Sequence, residues 1–229
     1  MKYLIIIPAR GGSKGIPGKN LVKLRNIPLI NHTIREALRV TALKSGVHAI
    51  VSTDDAEIRK VSLDSGIDVP FLRPSLLAGD HSSSIEYVHH AVDFYSRHGD
   101  CPENVMLLQP TSPLRTAQDV LSAMELFDDG GHDSLISVYQ DDYINDKVMY
   151  TLNGTLGIPV STMHNAGLRR QDDSPVLIRN GAIYITKVDY LTENNHIISK
   201  IPLVHMMPKS RSINIDTLED LYMVEQLLK

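Results

Sequence analysis

Cysteine is nearly absent from this 229-residue chain: Cys101 is its only one, which excludes an internal disulfide and a cysteine-based zinc cluster. Long apolar runs are missing as well. No stretch approaches the ~18 residues that a membrane-spanning helix requires, and the apolar start Tyr3–Pro8 is too short for a signal-peptide core. A cytoplasmic protein with no membrane partner is the expectation. Excess positive charge is also lacking; the formal net charge of −4 argues against a general surface for polyanions, so nucleic acid is not an expected partner. Neither His-Glu-x-x-His nor Gly-x-Ser-x-Gly occurs, which removes the zinc-peptidase helix and the hydrolase nucleophile elbow. His81, His89, His90 and His205 read as capping or surface residues.

What is present has an ordinary bulk composition, and the length suits one α/β domain spanning residues 1–229. Short apolar runs at Tyr3–Ile7, His48–Val51, Val105–Leu108 and Ser134–Val138 read as buried strands. Helically spaced stretches lie between them, at Leu29–Val40, Ala56–Ser65, Ser84–Arg97 and Ala117–Phe127. This alternation predicts a doubly wound, mostly parallel sheet with a ligand crevice at the carboxyl ends of its strands. Tyr139–Ile178 breaks the pattern and reads as an excursion, with a short strand within Val148–Leu152. Strands at Ala182–Thr186 and Lys200–His205 and a helix over Thr217–Leu228 then resume the α/β order.

The loop Ile7-Pro8-Ala9-Arg10-Gly11-Gly12-Ser13-Lys14-Gly15-Ile16-Pro17-Gly18-Lys19-Asn20 follows the first strand and combines glycines with three cations. Glycines let backbone N–H groups approach a ligand closely, so these are the parts of a polyphosphate cradle. Two common nucleotide loops do not fit. Asn20 follows Gly18-Lys19 where a P-loop needs Ser or Thr, and the glycines never make Gly-x-Gly. A tight turn is the competing reading, but a turn needs neither this length nor Arg10, Lys14 and Lys19 together.

This loop resembles the signature of the N-acylneuraminate cytidylyltransferases, the CMP-sialic acid synthetase family. Further segments resemble that family in the same order: Val51-Ser52-Thr53-Asp54, Leu72-Arg73-Pro74, Asp80 to Ile85, Leu107 to Thr116, Asn180 to Ile185 and Ile213 to Thr217. The resemblance implies a Rossmann-like nucleotidyltransferase, a homodimer joined through residues 139–178, and Mg²⁺ or Mn²⁺ as cofactor. The reaction implied is transfer of CMP from CTP to an acidic nonulosonic sugar.

The resemblance places Arg10, Gly11, Lys14, Lys19 and Asn20 at the nucleotide, with Arg10, Lys19 and Asp216 as the catalytic candidates. Fixed cations can stabilise the charge that moves onto departing pyrophosphate. Arg73 and Ala78 to Ser84, including Asp80, Ser82 and Ser83, resemble the stretch that reads cytosine and ribose; Asp80 to Ser84 also fits the start of a helix. Gln109, Arg170 and Asn180 correspond to sugar-site positions, and Arg170 could serve a partner subunit's site. Arg115 could hold its turn instead of a ligand. Asn214 and Asp216 correspond to the metal site, although Asp216 also has the spacing of a helix cap.

Two departures bear on the acceptor and the metal. Arg179-Asn180-Gly181 stands where sialic-acid enzymes often have Arg-Pro-Asn-Gly, and Asn214-Ile215-Asp216 replaces the common Asp-Ile-Asp. Legionaminic, pseudaminic and 3-deoxy-octulosonic acids are the alternative acceptors, and a non-catalytic nucleotide-binding module is the rival from another class.

Overall fold

The computed structural model describes residues 1–13, 15–79, 82–142, 144, 146–165 and 176–228. Strand β1 (Tyr3–Pro8) is followed by a small hairpin, β2 (Lys23–Leu24) and β3 (Ile27–Pro28), then α1 (Leu29–Leu43), β4 (Val47–Ser52) and α2 (Ala56–Asp64). Next come α3 (Ser84–Arg97), β5 (Asn104–Leu107), α4 (Ala117–Gly130) and β6 (Ser134–Asp141). A second hairpin, β7 (Tyr150–Asn153) and β8 (Leu156–Pro159), precedes β9 (Val176–Lys187), α5 (Val188–Asn194), β10 (Leu203–Met206) and α6 (Leu218–Leu227).

Six strands form one sheet in the order β10-β6-β9-β5-β1-β4. β1 runs parallel to β4 and β5, and β10 parallel to β6, whereas β9 is antiparallel to both its neighbours. The expected mostly parallel sheet is therefore present, with one reversed strand inside it. Alternation along β1 shows why both faces are covered. Tyr3, Ile5 and Ile7 pack with residues of α1, α2 and α4, while Leu4 and Ile6 pack with residues of α3 and α5. Full burial of each such isoleucine or leucine is worth roughly 1.5–3 kcal/mol, so β1 is the spine of the domain. A third cluster joins Ile16, Leu24, Leu29, Leu114, Ile215 and Val224, bringing the loop after β1 against the segment that leads into α6.

Helix starts follow local chemistry. The Asp55 carboxylate accepts the Glu57 and Ile58 N–H groups at 2.8 Å each, which starts α2. Thr116 with Asp119 and Thr217 with Asp220 make reciprocal capping boxes for α4 and α6. The cap of α6 is thus Thr217, one residue beyond the Asp216 alternative, and Asp216 contributes only its backbone N–H, donated to Asp220 at 3.0 Å.

Within the segment 139–178, β6 continues to Asp141 and β9 already begins at Val176. The hairpin between them turns through Gly154, whose φ of +61° is the left-handed region that glycine enters without a steric penalty. It exposes several apolar side chains, including Tyr150, Leu152, Leu156 and Ile158. No helix among the described residues is long and apolar enough to cross a membrane.

Arg115 lies wholly inside the protein. Its guanidinium donates to the carbonyls of Gln109 (3.2 Å) and Ala182 (2.8 Å) and to the Thr33 hydroxyl (2.8 Å), tying the turn after β5 to β9 and α1. Burial pushes its pKa down to about 10, against the opposing influence of Glu36 and Asp119, so the group stays charged at neutral pH. Arg115→Met should lower the unfolding free energy by about 3 kcal/mol, because buried acceptors lose their donor. Urea denaturation measures this; a loss below about 1 kcal/mol contradicts the assignment.

Candidate active site

A cavity of about 540 Å³ opens at the carboxyl ends of β1 and β5, where a crevice is expected for such a sheet. Pro8, Arg10, Ser13, Gly15, Lys19 and Asn20 line it from the loop after β1. Arg73, Leu77, Ala78, Gly79 and Ser82 contribute a second wall, and Gln109, Pro110 and Thr111 a third. Asn214 and Asp216 close it from the segment before α6. Nine residues singled out from the sequence, Arg10, Lys19, Asn20, Arg73, Ala78, Ser82, Gln109, Asn214 and Asp216, therefore share one cavity. Lys14, Asp80 and Arg170 lie outside the described residues.

The loop is held by its own polar groups. Gly18, at φ +62°, turns the chain into the short 3-10 helix Lys19–Leu21. Buried Asn20 donates its side-chain amide to the Arg10 carbonyl at 2.9 Å, so it shapes the loop as well as lining the cavity. Arg10 reaches across and donates to the Gly79 carbonyl at 3.1 Å. A Cβ on Gly15 would stand 2.3 Å from the Asp216 carbonyl oxygen, so only glycine permits this approach. Lys19 donates to the Ile215 carbonyl at 3.0 Å and to Asp216 Oδ1 at 2.9 Å.

On the second wall, Arg73 is only 5% exposed, with its guanidinium carbon 5.1 Å from the centre of the Tyr87 ring. Desolvation pulls the Arg73 pKa down, while Asp54 and Tyr87 oppose the shift. Burial likewise raises the Tyr87 phenol. Ser82 donates its hydroxyl to the Leu76 carbonyl at 2.9 Å. Ser83 and Ser84 belong to the start of α3, where the Ser83 N–H donates to Glu86 Oε2 at 3.1 Å; neither lines the cavity. Gly11 also stands just behind the wall, its N–H bonded to Asp54 Oδ1 at 3.1 Å. Sequence reasoning missed Tyr87 and Asp54, since nothing local marks a tyrosine on a helix or an aspartate after a strand as a partner of Arg73.

The remaining wall depends on a break in the sheet. Between the pairs Ile136–Tyr184 and Val138–Arg179 the β6–β9 register shifts. Gly181 in this bulge has φ +72°, and a Cβ there would meet Gln109 Oε1 at 3.0 Å and Asn214 Nδ2 at 3.4 Å. Asn180, expected at the sugar, is 2% exposed and does not line the cavity. Its Oδ1 accepts from Ser137 Oγ (2.6 Å) and the Ala182 N–H (3.1 Å), and its Nδ2 donates to Ser212 Oγ at 2.9 Å. The structure therefore places Asn180 as the clamp of the bulge, its amide consumed internally.

Asn214 and Asp216 reach the cavity while Ile215 between them is buried in the third core cluster, the alternation of an extended segment. Asn214 Oδ1 already accepts the Ser112 hydroxyl at 2.6 Å. The Asp216 side chain is 72% exposed. Among the described residues no three His, Cys, Asp or Glu side chains converge as a ligand group. One exposed carboxylate beside a cationic loop fits a magnesium or manganese ion carried mainly by a ligand's phosphates, not an all-protein cage.

Comparison with known proteins adds an independent line. A family model described as cytidylyltransferase matches residues 4–221. The chain is 35% identical over 222 residues to an N-acylneuraminate cytidylyltransferase of Streptococcus agalactiae, covering 96% of this chain and 52% of that protein. It thus spans about half the length of that relative. It is 31% identical to the pseudaminic acid cytidylyltransferase of Campylobacter jejuni and 32% identical to the CMP-N,N'-diacetyllegionaminic acid synthase of Legionella pneumophila, with coverage of 100% of this chain and 97% of each relative. Among solved structures, the CTP complex of CMP:2-keto-3-deoxy-manno-octonic acid synthetase superposes with a TM-score of 0.69 at 20% identity, covering 100% of this chain and 98% of that one. That likeness establishes the common fold.

Asn180→Ala should cost about 1–3 kcal/mol of stability by leaving buried donors and acceptors of the bulge without partners. Thermal or urea unfolding reads this directly, and an unchanged midpoint contradicts the clamp.

Proposed function

The chain belongs to the cytidylyltransferase family, and from that premise we propose that it transfers CMP from CTP to the anomeric hydroxyl of a sialic-type nonulosonic acid, releasing pyrophosphate. The observation that carries the reading is the sharing of one cavity by the cationic loop and the Arg73 to Ser82 wall. A triphosphate would lie along the loop, with Arg10, Lys14 and Lys19 facing its oxygens, Gly11 and Asn20 shaping the loop around it, and the base against Arg73, Ala78 and Ser82. Ser83 and Ser84 stand behind this wall at the start of α3, and Asp80 is a further proposed nucleotide contact. Gln109 and Arg170 are the proposed contacts of the acidic sugar; an arginine fork suits a carboxylate because it binds both oxygens.

The sugar hydroxyl attacks the α-phosphorus in line. A phosphorus–oxygen bond to the sugar forms as the bond to the bridging oxygen breaks; the hydroxyl proton is released to solvent and pyrophosphate leaves with the electron pair of the broken bond. No protein nucleophile takes part. Lys19 and Arg10 stabilise the charge that accumulates on the leaving group. In the free protein Lys19 is paired with Asp216, and triphosphate oxygens offer it stronger partners. Asp216, with Asn214 beside it, would then hold magnesium or manganese. The ion would neutralise phosphate charge. The proposed location of the reaction is the cytoplasm.

Residues 139–178 are the proposed homodimer contact. Leu152 is 80% exposed and its hairpin neighbours Tyr150, Leu156 and Ile158 are exposed too, an apolar arm that a second copy would cover. Sedimentation should show a dimer at micromolar concentration that Leu152→Asp converts to a folded monomer; a native monomer overturns the contact.

Pyrophosphate release from CTP with N-acetylneuraminic, legionaminic, pseudaminic and 3-deoxy-octulosonic acids tests the reaction. CTP should be preferred over UTP, ATP and GTP, and product with none of the acids defeats the proposal in favour of a nucleotide-binding module. In the active pair, Lys19→Ala should lower kcat roughly a hundredfold, about 3 kcal/mol, with little change in the KM for sugar. Near-normal kcat in the folded variant removes Lys19 from the chemistry.

A further inference from the structure

Asp54 sits just past the carboxyl end of β4, between the two walls assigned to the triphosphate and to the base. Its Oδ1 accepts the Gly11 N–H at 3.1 Å, and the same oxygen lies 3.8 Å from Nη2 of Arg73. That second distance is too long for a hydrogen bond but short enough for ion pairing. Nε and Nη2 of Arg73 are buried with no hydrogen-bond partner among the described residues. Buried donors without hydrogen-bond partners carry a desolvation cost, and the nearby charge of Asp54 is what offsets it for Arg73.

The surroundings hold Asp54 in place. Its neighbour Asp55 is fixed by capping α2, and the Asp55 N–H donates to Thr53 Oγ1 at 3.1 Å. The Thr53 carbonyl accepts the Arg73 N–H at 2.7 Å, so backbone and side chain of Arg73 are both referred to the end of β4. The loop must also pass close above this pair. A Cβ on Gly11 would come within 2.6 Å of Asp55 Oδ2, so the approach requires glycine.

We propose that Asp54 is a positioning residue that couples base selection to triphosphate placement, holding the Gly11 N–H and the Arg73 guanidinium with one carboxylate oxygen. The proposal rests on the reading that Arg73 faces the nucleobase. Cytosine presents two adjacent acceptors, N3 and O2, to a pair of N–H donors, whereas uracil places an N–H at position 3. A guanidinium held by Asp54 keeps the part of Arg73 that lines the cavity in one orientation toward the base, and the same carboxylate keeps the loop seated for the phosphates. One carboxylate thereby makes each half of the nucleotide sensitive to the fit of the other.

Asp54→Asn separates the two contacts, because the amide retains an acceptor for the Gly11 N–H but loses the charge that orients Arg73. Calorimetric Kd values for CTP, UTP and inorganic tripolyphosphate supply the readout, with thermal melting as the check on folding. In Asp54→Asn the CTP-to-UTP preference should fall roughly tenfold while tripolyphosphate affinity stays within about twofold. Asp54→Ala should lose the preference and also weaken tripolyphosphate by roughly tenfold. If Asp54→Asn does not fold, Arg73→Lys should show the same selective loss, since it keeps the charge but not the fork. A native CTP-to-UTP ratio in the folded variant overturns the proposal. Equal weakening of all three ligands, the mark of a merely structural role, overturns it too. Product formation by the native chain with the sugar panel reports on the overall reaction separately, so failure of either reading leaves the other identifiable.

Discussion

The buried guanidinium of Arg115 fixes the geometry of the cavity wall that carries Gln109 and Asn214. Its three acceptors come from the turn after β5, from β9 and from α1, elements that meet at the end of the sheet. Because one donor grips the Gln109 carbonyl and another the Ala182 carbonyl, the Gln109 side chain and the Gly181 bulge are held in register. Asn214 then packs against that bulge, and the Ser112 hydroxyl anchors it. A planar fork of five N–H donors can satisfy acceptors from separate elements at once, which an ammonium on a flexible stem does less rigidly. Three donated bonds hold this cavity wall in one arrangement, while Nε of Arg115 has no hydrogen-bond partner among the described residues.

The strands β1, β4, β5 and β6 were legible because each is a short apolar run, and their helices because apolar spacing and caps agree. Reversal of β9 was not legible. Apolar runs mark burial but not direction, and β9 is buried in the same way as its parallel neighbours. The seven residues of α5 were too few to show a helical period, and the two-residue strands β2 and β3 carry no pattern at all. At the site, the loop from Arg10 to Asn20 was readable because glycines and cations adjoin in the chain. The contact between Arg73, Tyr87 and Asp54 joins three separate elements, so no window of sequence contains it. Asn180 illustrates the opposite difficulty: a motif marks the position, but only the surrounding donors and acceptors reveal that its amide is spent inside the protein.

The electrostatics of the cavity also bear on how an acidic protein could carry the proposed polyphosphate site. Lys19 faces Asp216, and Arg73 faces Asp54, so each of these cations is paired with a carboxylate before any ligand arrives. Such pairing keeps the cavity's field modest and makes it a poor trap for arbitrary polyanions. A ligand gains entry by offering more acceptors at the right places than the resident carboxylates do. Selectivity then comes from competition between ligand and carboxylate for each cation, in addition to shape.

The contact of Gly15 with the Asp216 carbonyl, together with Ile16 and Ile215 in one apolar cluster, has a bearing on biosynthesis. The two sides of this wall are separated by about two hundred residues of chain, as the Lys19–Asp216 separation of 197 shows. During vectorial synthesis the loop after β1 leaves the ribosome long before the segment that closes the cavity beside it. Strands β1, β4 and β5 can pair while the cavity still lacks its closing wall, but β9, which lies between β5 and β6, emerges only shortly before that wall, so core and cavity are completed late and together.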